Sequence, residues 1–394
     1  MKEVINMKEI TLKQLFDIKK GKKVEQIQLK TLESIRYIQI DDLRNDKNIK
    51  YCLPEKNYVY ATKNDVIIAW DGANAGTIGY NLEGAIGSTL AVLKSKVVDI
   101  NTHYVAIFLK TKAQFLRDNC TGATIPHISR QVLEDIKIPL PPKEIQEKIV
   151  EVIEKAQSLI NFRIEQIDSL SNLAQSVFTE MFGNPILNNK WSIRPLGEYL
   201  EKIESGWSPK SESFPAIEGE KGVLKLSAVT KGVYQYKENK ALYSDTPLKK
   251  VLEVKKGDLL ITRKNTKELV GACSYVFDTP PNLMIPDTVF RLVFKESENP
   301  INPIFLWRLL NNNTFKRKVS SLAEGSSGSM PNISKKNLLG LEIIVPPLEL
   351  QEQFSNIIIN IENQKQLLIN GLLGLENNLN SIKQRAFKGE LFSV

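Results

Sequence analysis

Histidine and cysteine are scarce in this chain of 394 residues, which contains two histidines and three cysteines. The cysteines, Cys52, Cys120 and Cys273, are isolated in the sequence, so their spacing fits neither a disulfide framework nor a thiolate zinc site. His103 and His127 are too few to support most metal or histidine chemistry. Such a composition is typical of a protein in a reducing compartment.

Long hydrophobic runs are also missing from the sequence. No apolar stretch approaches the roughly 20 residues that span a bilayer, and the N-terminal residues lack the apolar segment of a secretory signal. We therefore expect a cytoplasmic protein. A hydrophobic content of 42% and a charged content of 25% are ordinary for globular chains, and the length allows two or three domains.

Motifs of catalysis are missing as well. The sequence has no Gly-x-x-x-x-Gly-Lys-Ser/Thr loop, no Asn/Asp-Pro-Pro-aromatic motif of adenine methyltransferases and no glycine-rich cofactor fingerprint. Gly72, Gly76 and Gly79 follow no strand-to-helix pattern, so they predict tight turns. We expect no catalytic residue, no metal site and no bound cofactor in this chain.

The dominant positive feature is an internal repeat. Residues 125–149 align without a gap with residues 330–354 at an offset of 205, and ten of the 25 positions are identical. The identical residues include Pro126 and Pro331, Ser129 and Ser334, the proline pairs 141–142 and 346–347, and the Gln-Glu pairs 146–147 and 351–352. Upstream, residues 65–68 match residues 258–261 at an offset of 193, so the second copy carries 12 extra residues between these points.

Each copy divides into a β-rich part and a helical part. Short apolar runs separated by glycine and asparagine predict strands at 37–40, 66–69 and 89–93, and at 223–226, 258–261 and 289–294. One short apolar helix is predicted over 103–120 and its counterpart over 303–320. The domain prediction is 1–142 (first β-rich domain), 143–182 (first long helix), 183–190 (linker), 191–347 (second β-rich domain) and 348–394 (second long helix).

The long helices carry apolar residues at heptad-like spacing. Each helix is about 40 residues and about 60 Å long, and neither can bury its apolar stripe alone. Pairing with the helix of the other copy is the simplest solution, although each helix could instead pack on its own domain. The residues predicted to pair the helices or dock partners are Ile153, Ile160, Ile167, Phe178, Ile358, Leu368, Leu372, Leu375 and Leu379.

Positive charge is concentrated in the β-rich parts. The whole chain carries +8, but residues 143–182 carry −3 and residues 348–394 carry −1, which leaves +12 for the remainder. Basic domains suit contact with phosphate. Polar and basic loops recur at matching places in both copies and supply the predicted DNA contacts, although any single loop could be a solvated turn. These residues are Lys20, Lys22, Lys23, Asn74, Thr124, His127, Arg130, Trp207, Lys210, Arg263, Lys264, Asn265, Lys267, Ser326, Ser327, Lys335 and Lys336.

Residues 138–149 and 344–354, each a strand followed by Pro-Pro and a Gln-Glu helix start, resemble the specificity subunits of type I restriction–modification systems. Residues 182–185 with 191–197 look like that family's junction into its second recognition domain, and residues 384–392 are similar to its C-terminal helix end. The resemblance covers nearly the whole chain. Lys143 departs from the apolar residue that the family commonly has after the proline pair.

This resemblance implies an α+β architecture in which two β-rich target-recognition domains are joined by two long antiparallel coiled-coil helices with pseudo-twofold symmetry. It implies a non-catalytic subunit that binds double-stranded DNA, recognises a bipartite asymmetric site and docks two methylation subunits, to which restriction subunits can add. S-adenosylmethionine, ATP and Mg would belong to those partner subunits.

Two other hypotheses stay open at the level of sequence. The long apolar seam and a net charge that is not extreme also fit a coiled-coil adaptor that binds proteins without DNA specificity. An enzyme with an unrecognised site is the third hypothesis.

Overall fold

A computed structural model of the chain describes residues 7–122, 124–296, 300–324 and 330–392. The chain forms two compact units, unit 1 (Met1–Ile164 with Asn370–Val394) and unit 2 (Glu165–Ile369). These divisions fall inside the two long helices. Each unit therefore contains one β-rich domain, the first half of one long helix and the second half of the other. The five-segment division of the chain stays a prediction from the sequence.

The first β-rich domain, in unit 1, is built of short elements. Its strands are β1 (Lys8–Thr11), β2 (Phe16–Lys20), β3 (Ile35–Ile38), β4 (Lys50–Cys52), β5 (Tyr60–Ala61), β6 (Val66–Ala69), β7 (Ile78–Tyr80), β8 (Gly84–Ile86), β9 (Leu90–Ser95) and β10 (Lys137–Leu140). Its helices are α1 (Leu12–Leu15), α2 (Thr102–Thr111), α3 (Ala113–Asp118) and α4 (Arg130–Glu134). The first long helix, α5, spans Lys143–Phe182.

The second β-rich domain, in unit 2, repeats this pattern. Its strands are β11 (Ser192–Pro195), β12 (Leu200–Ser205), β13 (Gly222–Leu224), β14 (Asn239–Ala241), β15 (Leu259–Thr262), β16 (Cys273–Tyr275), β17 (Leu283–Met284), β18 (Val289–Phe294), β19 (Ala323–Glu324), β20 (Asn332–Ile333) and β21 (Glu342–Val345). Its helices are α6 (Ser227–Thr230), α7 (Pro303–Leu310), α8 (Phe315–Ser320) and α9 (Lys335–Leu339), and the second long helix, α10, spans Leu348–Phe387.

The central sheet has the same topology in both domains, whereas the second sheet has four strands in the first domain and three in the second. An antiparallel four-stranded sheet has the order β2-β9-β6-β7 in the first domain and β12-β18-β15-β16 in the second. A second sheet in each contains a parallel pair, β3 with β8 and β13 with β17, and a two-stranded ribbon closes each domain, β1 with β10 and β11 with β21. The prediction of an α+β fold with an internal duplication is therefore confirmed.

The 12 extra residues of the second copy are spread over several loops. The offset between equivalent positions is 193 at β6 and β15, 195 at β7 and β16, 199 at β9 and β18, and 201 at the Asn residues that cap α2 and α7. It reaches 205 at β10 and β21. Insertions are tolerated in loops because loop closure costs little extra free energy as a loop lengthens.

Three predicted helices differ in the structure. The single helix predicted over 103–120 is two helices, α2 and α3, and its counterpart over 303–320 is also two, α7 and α8. In the second copy the Asn312 side chain accepts hydrogen bonds from the N–H groups of Thr314 and Phe315, so it caps a new helix and ends the old one. The last long helix ends at Phe387 and not at 394, because Gly389 takes a left-handed conformation (φ +76°).

The proline pairs and the following glutamines fix the start of each long helix. Gln351 is 1% exposed, and its side chain accepts a hydrogen bond from the N–H of Asn302 (2.9 Å) and donates one to the carbonyl of Pro346 (2.7 Å). Gln146 makes the equivalent bonds to Asn101 and Pro141 in the first copy. The glutamine of the repeated motif therefore ties a helix start to the cap of a domain helix in each unit.

Within each unit the two helical halves run antiparallel. In unit 1, Ile149 near the start of α5 lines a small cleft with Ala386 near the end of α10. Further along α5, the Arg163 guanidinium lies next to Gly371, an earlier residue of α10. In unit 2 the ring of Phe354 lies 5.1 Å from that of Phe182. Each domain also packs against both halves in its unit. Its ring contacts include those between Phe108 and Phe387 in unit 1 and between Phe305 and Phe182 in unit 2.

The predicted seam residues lie on the packed faces of these helices. Ile153, Ile160, Phe178, Ile358 and Leu379 are buried, and the remaining four are half-buried, namely Ile167, Leu368, Leu372 and Leu375. All of them except Ile167 and Leu368 pack in or against the hydrophobic cores of the two units, and their part in docking partners stays a prediction. Within the described residues, no helix is long and apolar enough to cross a membrane.

Replacing the buried glutamine tests its structural role. Gln351→Leu should lower the free energy of unfolding of unit 2 by about 2–6 kcal/mol, because the part-buried N–H of Asn302 and the buried carbonyl of Pro346 lose their partners at about 1–3 kcal/mol each. Urea unfolding followed by tryptophan fluorescence measures this, since Trp191, Trp207 and Trp307 lie in unit 2. The matched control is Gln353→Leu, an exposed position on the same helix, which should leave the transition almost unchanged. Equal effects of the two variants would contradict the assigned role.

Candidate nucleic-acid interface

In the first domain three loops meet at one carboxylate. Asp71 follows β6, Lys20 is the last residue of β2, and His127 lies between α3 and α4. The Asp71 carboxylate forms a salt bridge with Lys20, in which Oδ2 lies 2.8 Å from Nζ, and its Oδ1 lies 2.6 Å from Nδ1 of His127. We call these three residues site 1.

Backbone hydrogen bonds hold the loops of site 1 in place. His127 and Thr121 exchange two bonds, of 2.7 and 2.8 Å, and the N–H of Gly72 donates to the carbonyl of Pro126 at 2.9 Å. The N–H of Ile128 donates to the carbonyl of the residue before Asp71, at 2.9 Å. The position of the loops is therefore fixed by the main chain and does not depend on which side chains they carry.

Site 1 has a defined electrostatic character. Burial would raise the pKa of the Asp71 carboxyl, but the hydrogen bonds from Lys20 and His127 outweigh it and hold that pKa below its usual value. An ionised carboxylate has about four lone-pair positions and uses only part of them here, so Asp71 can still accept hydrogen bonds from a ligand. Lys20 and His127 are about half exposed at their side chains.

In the second domain equivalent backbone hydrogen bonds form the same loop frame, while the side chains on the loops differ. The N–H of Asn265 donates to the carbonyl of Pro331 (3.3 Å), and the N–H of Ile333 donates to the carbonyl of Arg263 (2.8 Å). Lys264 forms a β-bridge with Asn332, as Asp71 does with His127 in the first domain. Lys264 is offset from Asp71 by 193 residues and Asn332 from His127 by 205, the two offsets found in the sequence repeat.

The exposed chemistry of this second cluster is cationic. The Nε of Arg263 donates to the side chain of Asn332 at 3.1 Å, and its guanidinium lies 4.9 Å from the ring centroid of Phe290. The Lys264 side chain is exposed beside them. We call Arg263, Lys264 and Asn332 site 2. Where site 1 places a carboxylate, site 2 therefore places an ammonium group.

The other residues predicted in the first domain lie near site 1 with different degrees of exposure. Lys22 and Lys23 are exposed in the loop after β2, and Thr124 is exposed. Asn74 is half-buried and accepts a hydrogen bond from Arg44 at 2.5 Å. Arg130 is exposed and pairs with Glu134, one turn along α4, at 2.7 Å.

The residues predicted in the second domain divide more sharply. The lysines of this set are exposed, namely Lys210, Lys267, Lys335 and Lys336. The Lys249 ammonium nitrogen lies 3.8 Å from the ring centroid of Trp207. Ser326 and Ser327 fall outside the described residues.

Asn265 does not fit the surface role that the sequence suggested. It is 5% exposed, and its side chain donates to the hydroxyl of Thr230 at 3.3 Å and accepts from the N–H of Thr266 at 2.9 Å. These bonds stabilise the loop from inside, so we leave Asn265 out of the contact set.

Sequence reasoning missed two residues of the sites, Asp71 and Asn332. Both could have been found from the repeat, because Asp71 is the counterpart of Lys264 at an offset of 193 and Asn332 is the counterpart of His127 at 205. Among the described residues no group of three or more histidine, cysteine, aspartate or glutamate side chains could hold a metal ion.

Comparison with known proteins gives the family. The family model described as the type I restriction modification DNA specificity domain matches residues 5–170 and 188–375. The type I restriction enzyme MjaVIII specificity subunit of Methanocaldococcus jannaschii is 28% identical over 347 residues, which cover 83% of this chain and 79% of that protein.

Two solved structures share the fold. A type I restriction–modification S subunit from M. genitalium matches with a TM-score of 0.59 and 17% identity, covering 97% of this chain and 96% of the other. A chain from a structural study of complex assembly and conformational transition of the type I R-M system matches with a TM-score of 0.54 and 18% identity, covering 99% and 100%.

The family match favours DNA specificity over the adaptor and enzyme hypotheses. It covers both copies of the repeat, including the loops of site 1 and site 2. The chain belongs to the type I restriction–modification DNA specificity family, as a subunit whose role is to recognise DNA sequence while catalysis lies in other subunits.

Proposed function

We propose that the chain recognises a bipartite, asymmetric site in double-stranded DNA and directs a type I adenine methyltransferase, with or without restriction subunits, to it. The observation that carries this proposal is the pair of sites with one backbone frame and different side chains. A duplicated frame offers two recognition surfaces, and different side chains on it give two different half-site sequences.

The chemistry of the two sites suits different base edges. The carboxylate of Asp71 can accept a hydrogen bond from an amino group such as cytosine N4, and His127 adds a ring nitrogen. Arg263 and Lys264 donate hydrogen bonds, which suits the O6 and N7 acceptors of guanine or the phosphate backbone. Around them, the exposed lysines Lys22, Lys23, Lys210, Lys267, Lys335 and Lys336, with Lys20, Thr124, Arg130, Asn74 and Trp207, form the proposed contact set.

We propose that exposed apolar residues of the long helices, outside the predicted seam, dock the partners. The seam residues are buried or half-buried, whereas Phe162 is 62% exposed and Leu367 is 71% exposed. These two positions are equivalents at an offset of 205, and Ile164 and Ile369, which are also exposed, form a second such pair. Two equivalent apolar patches support two docking positions for methylation subunits.

The cofactors are assigned to the partners. We propose that S-adenosylmethionine, ATP and Mg bind only to the methylation and restriction subunits, since no sequence motif for them occurs in this chain.

The decisive experiment is to map adenine methylation by single-molecule sequencing in DNA from cells that express this chain with its methylation subunits. We expect methylation within one bipartite motif whose two halves differ. A motif with one continuous part, or two identical halves, would contradict the assignment of one half-site to each domain.

Substitution in site 2 should affect one half-site only. Lys264→Ala should weaken or relax recognition of the second domain's half-site by about 1–3 kcal/mol, while mismatch penalties in the other half-site stay the same. Competition binding with duplexes mutated in either half measures this, and Arg263→Ala should act in the same way. Lys256→Ala is the matched control, an exposed lysine before the start of β15, whereas Lys264 follows its end. Equal losses at both half-sites would rule out independent domains.

Charge on the exposed helix patches should prevent assembly. The double variant Phe162→Glu with Leu367→Glu should fold normally, because both side chains are mostly in solvent, and should no longer co-purify with methylation subunits. Asn363→Glu, at another exposed position on α10, adds one such charge and should assemble normally. Retention of both methylation subunits by the double variant would show that docking occurs elsewhere.

A further inference from the structure

Unit 1 contains a pocket lined with lysines, none of which belongs to site 1. It is an open pocket of about 680 Å³ between the C-terminal end of α2, the start of β10 and the last turns of α10. Five lysines line it, and the acidic residue on its wall is Glu9. The lysines are Lys110, Lys112, Lys137, Lys383 and Lys388.

The lysines of this pocket have few acidic partners, although the ammonium groups of Lys110 and Lys112 lie 4.5 and 5.5 Å from the ring centroids of Tyr80 and Phe108. Burial and the neighbouring charge of Lys383 lower the pKa of Lys110, against the opposing effect of Glu154, and burial lowers the pKa of Lys383. Among the described residues only Lys137 of the five has a salt bridge inside the pocket, a long one of 3.8 Å to the mostly exposed Glu9. An anion entering the pocket would relieve this repulsion.

The fold itself does not require these lysines. The equivalent positions in unit 2 carry no positive charge. They are found at an offset of 201 for the two lysines at the end of α2, and of 205 for the lysines of β10 and of the helix end. They are occupied by Asn311, Asn313, Glu342, Phe178 and Gly183. The second copy folds in the same way without them, so this fold does not depend on positive charge at these positions.

The position of the pocket points to DNA. Lys112 precedes Ala113 in the chain. The backbone carbonyl of Ala113 lies against Gly76, since a Cβ added to Gly76 would be 3.1 Å from that oxygen. Gly76 belongs to the turn after β6 that also carries Asp71 and Asn74. Lys112, on the wall of the pocket, is therefore one residue away from a contact with the turn that carries Asp71.

We propose that this lysine pocket binds phosphates of the DNA backbone adjacent to the half-site recognised by the first domain, without reading bases. The inference rests on the proposed function, since it assumes that site 1 faces DNA. It adds a contact that only one of the two domains makes, so the two half-sites contribute unequally to affinity. Ammonium groups bind phosphate as point charges, and this suits a contact without sequence preference.

The test uses the assembled complex and a duplex containing its mapped site. In the double variant Lys110→Gln with Lys383→Gln, the slope of log K against log salt concentration should become shallower by about 2, since each phosphate contact contributes roughly one unit. The preference for the correct site over mismatched sites should not change. Lys155→Gln is the control, because Lys155 is an exposed lysine of unit 1 that pairs with Glu151 on the long helix.

Phosphate-ethylation interference locates the contact. Interference should disappear in the double variant only at phosphates next to the first domain's half-site. An unchanged salt slope and footprint would overturn the proposal, and so would a loss next to the second half-site. Loss of methylation subunits with unchanged DNA contacts would instead assign the pocket to an acidic segment of a partner. If the unmodified complex shows no site-specific binding, the proposed function fails first, so the two failures are distinguishable.

Discussion

The constraint on which the structure depends is that a 40-residue amphipathic helix cannot bury its apolar stripe alone. Each unit meets it by combining the first half of one long helix with the second half of the other, and by packing a β-rich domain against both. Tyr104 and Phe108 in unit 1 contact Phe387, while Phe305 in unit 2 contacts Phe182. Each unit therefore takes helical residues from both copies of the repeat.

The glutamine of the repeated motif links this helical scaffold to the recognition loops. Gln146 and Gln351 join the start of a long helix to the cap of α2 or α7, and these short helices pack against the central sheets. The sheets in turn end in the loops of site 1 and site 2. A rigid path of buried hydrogen bonds and apolar contacts thus runs from the helices to the loops within each unit, which suits a subunit that must present side chains at fixed positions.

Main-chain hydrogen bonds fix the loops of both sites while the side chains vary, so one fold can present two different sets of side chains. The backbone bonds around Asp71 and His127 recur around Lys264 and Asn332, although the side chains change from an acid–imidazole pair to a cationic cluster. Main-chain hydrogen bonds are independent of side-chain identity, so substitution at these positions changes the chemistry offered to DNA and leaves the loop in place. The basic character of the domains, seen first as a small excess over the whole chain, supplies the electrostatic background.

The sequence by itself determined the duplication, the fold class, the first residue of each long helix and the side of each helix that is buried, because these depend on periodicity and on proline, which act locally. It also located most of the loops that form the two sites. Only the tertiary structure decided that Asn265 points inward, that residues 103–120 form two helices, that Asp71 joins Lys20 to His127, and that five lysines distant in sequence line one pocket. Such features depend on contacts between segments far apart in the chain, and local pattern carries no information about which of them will meet.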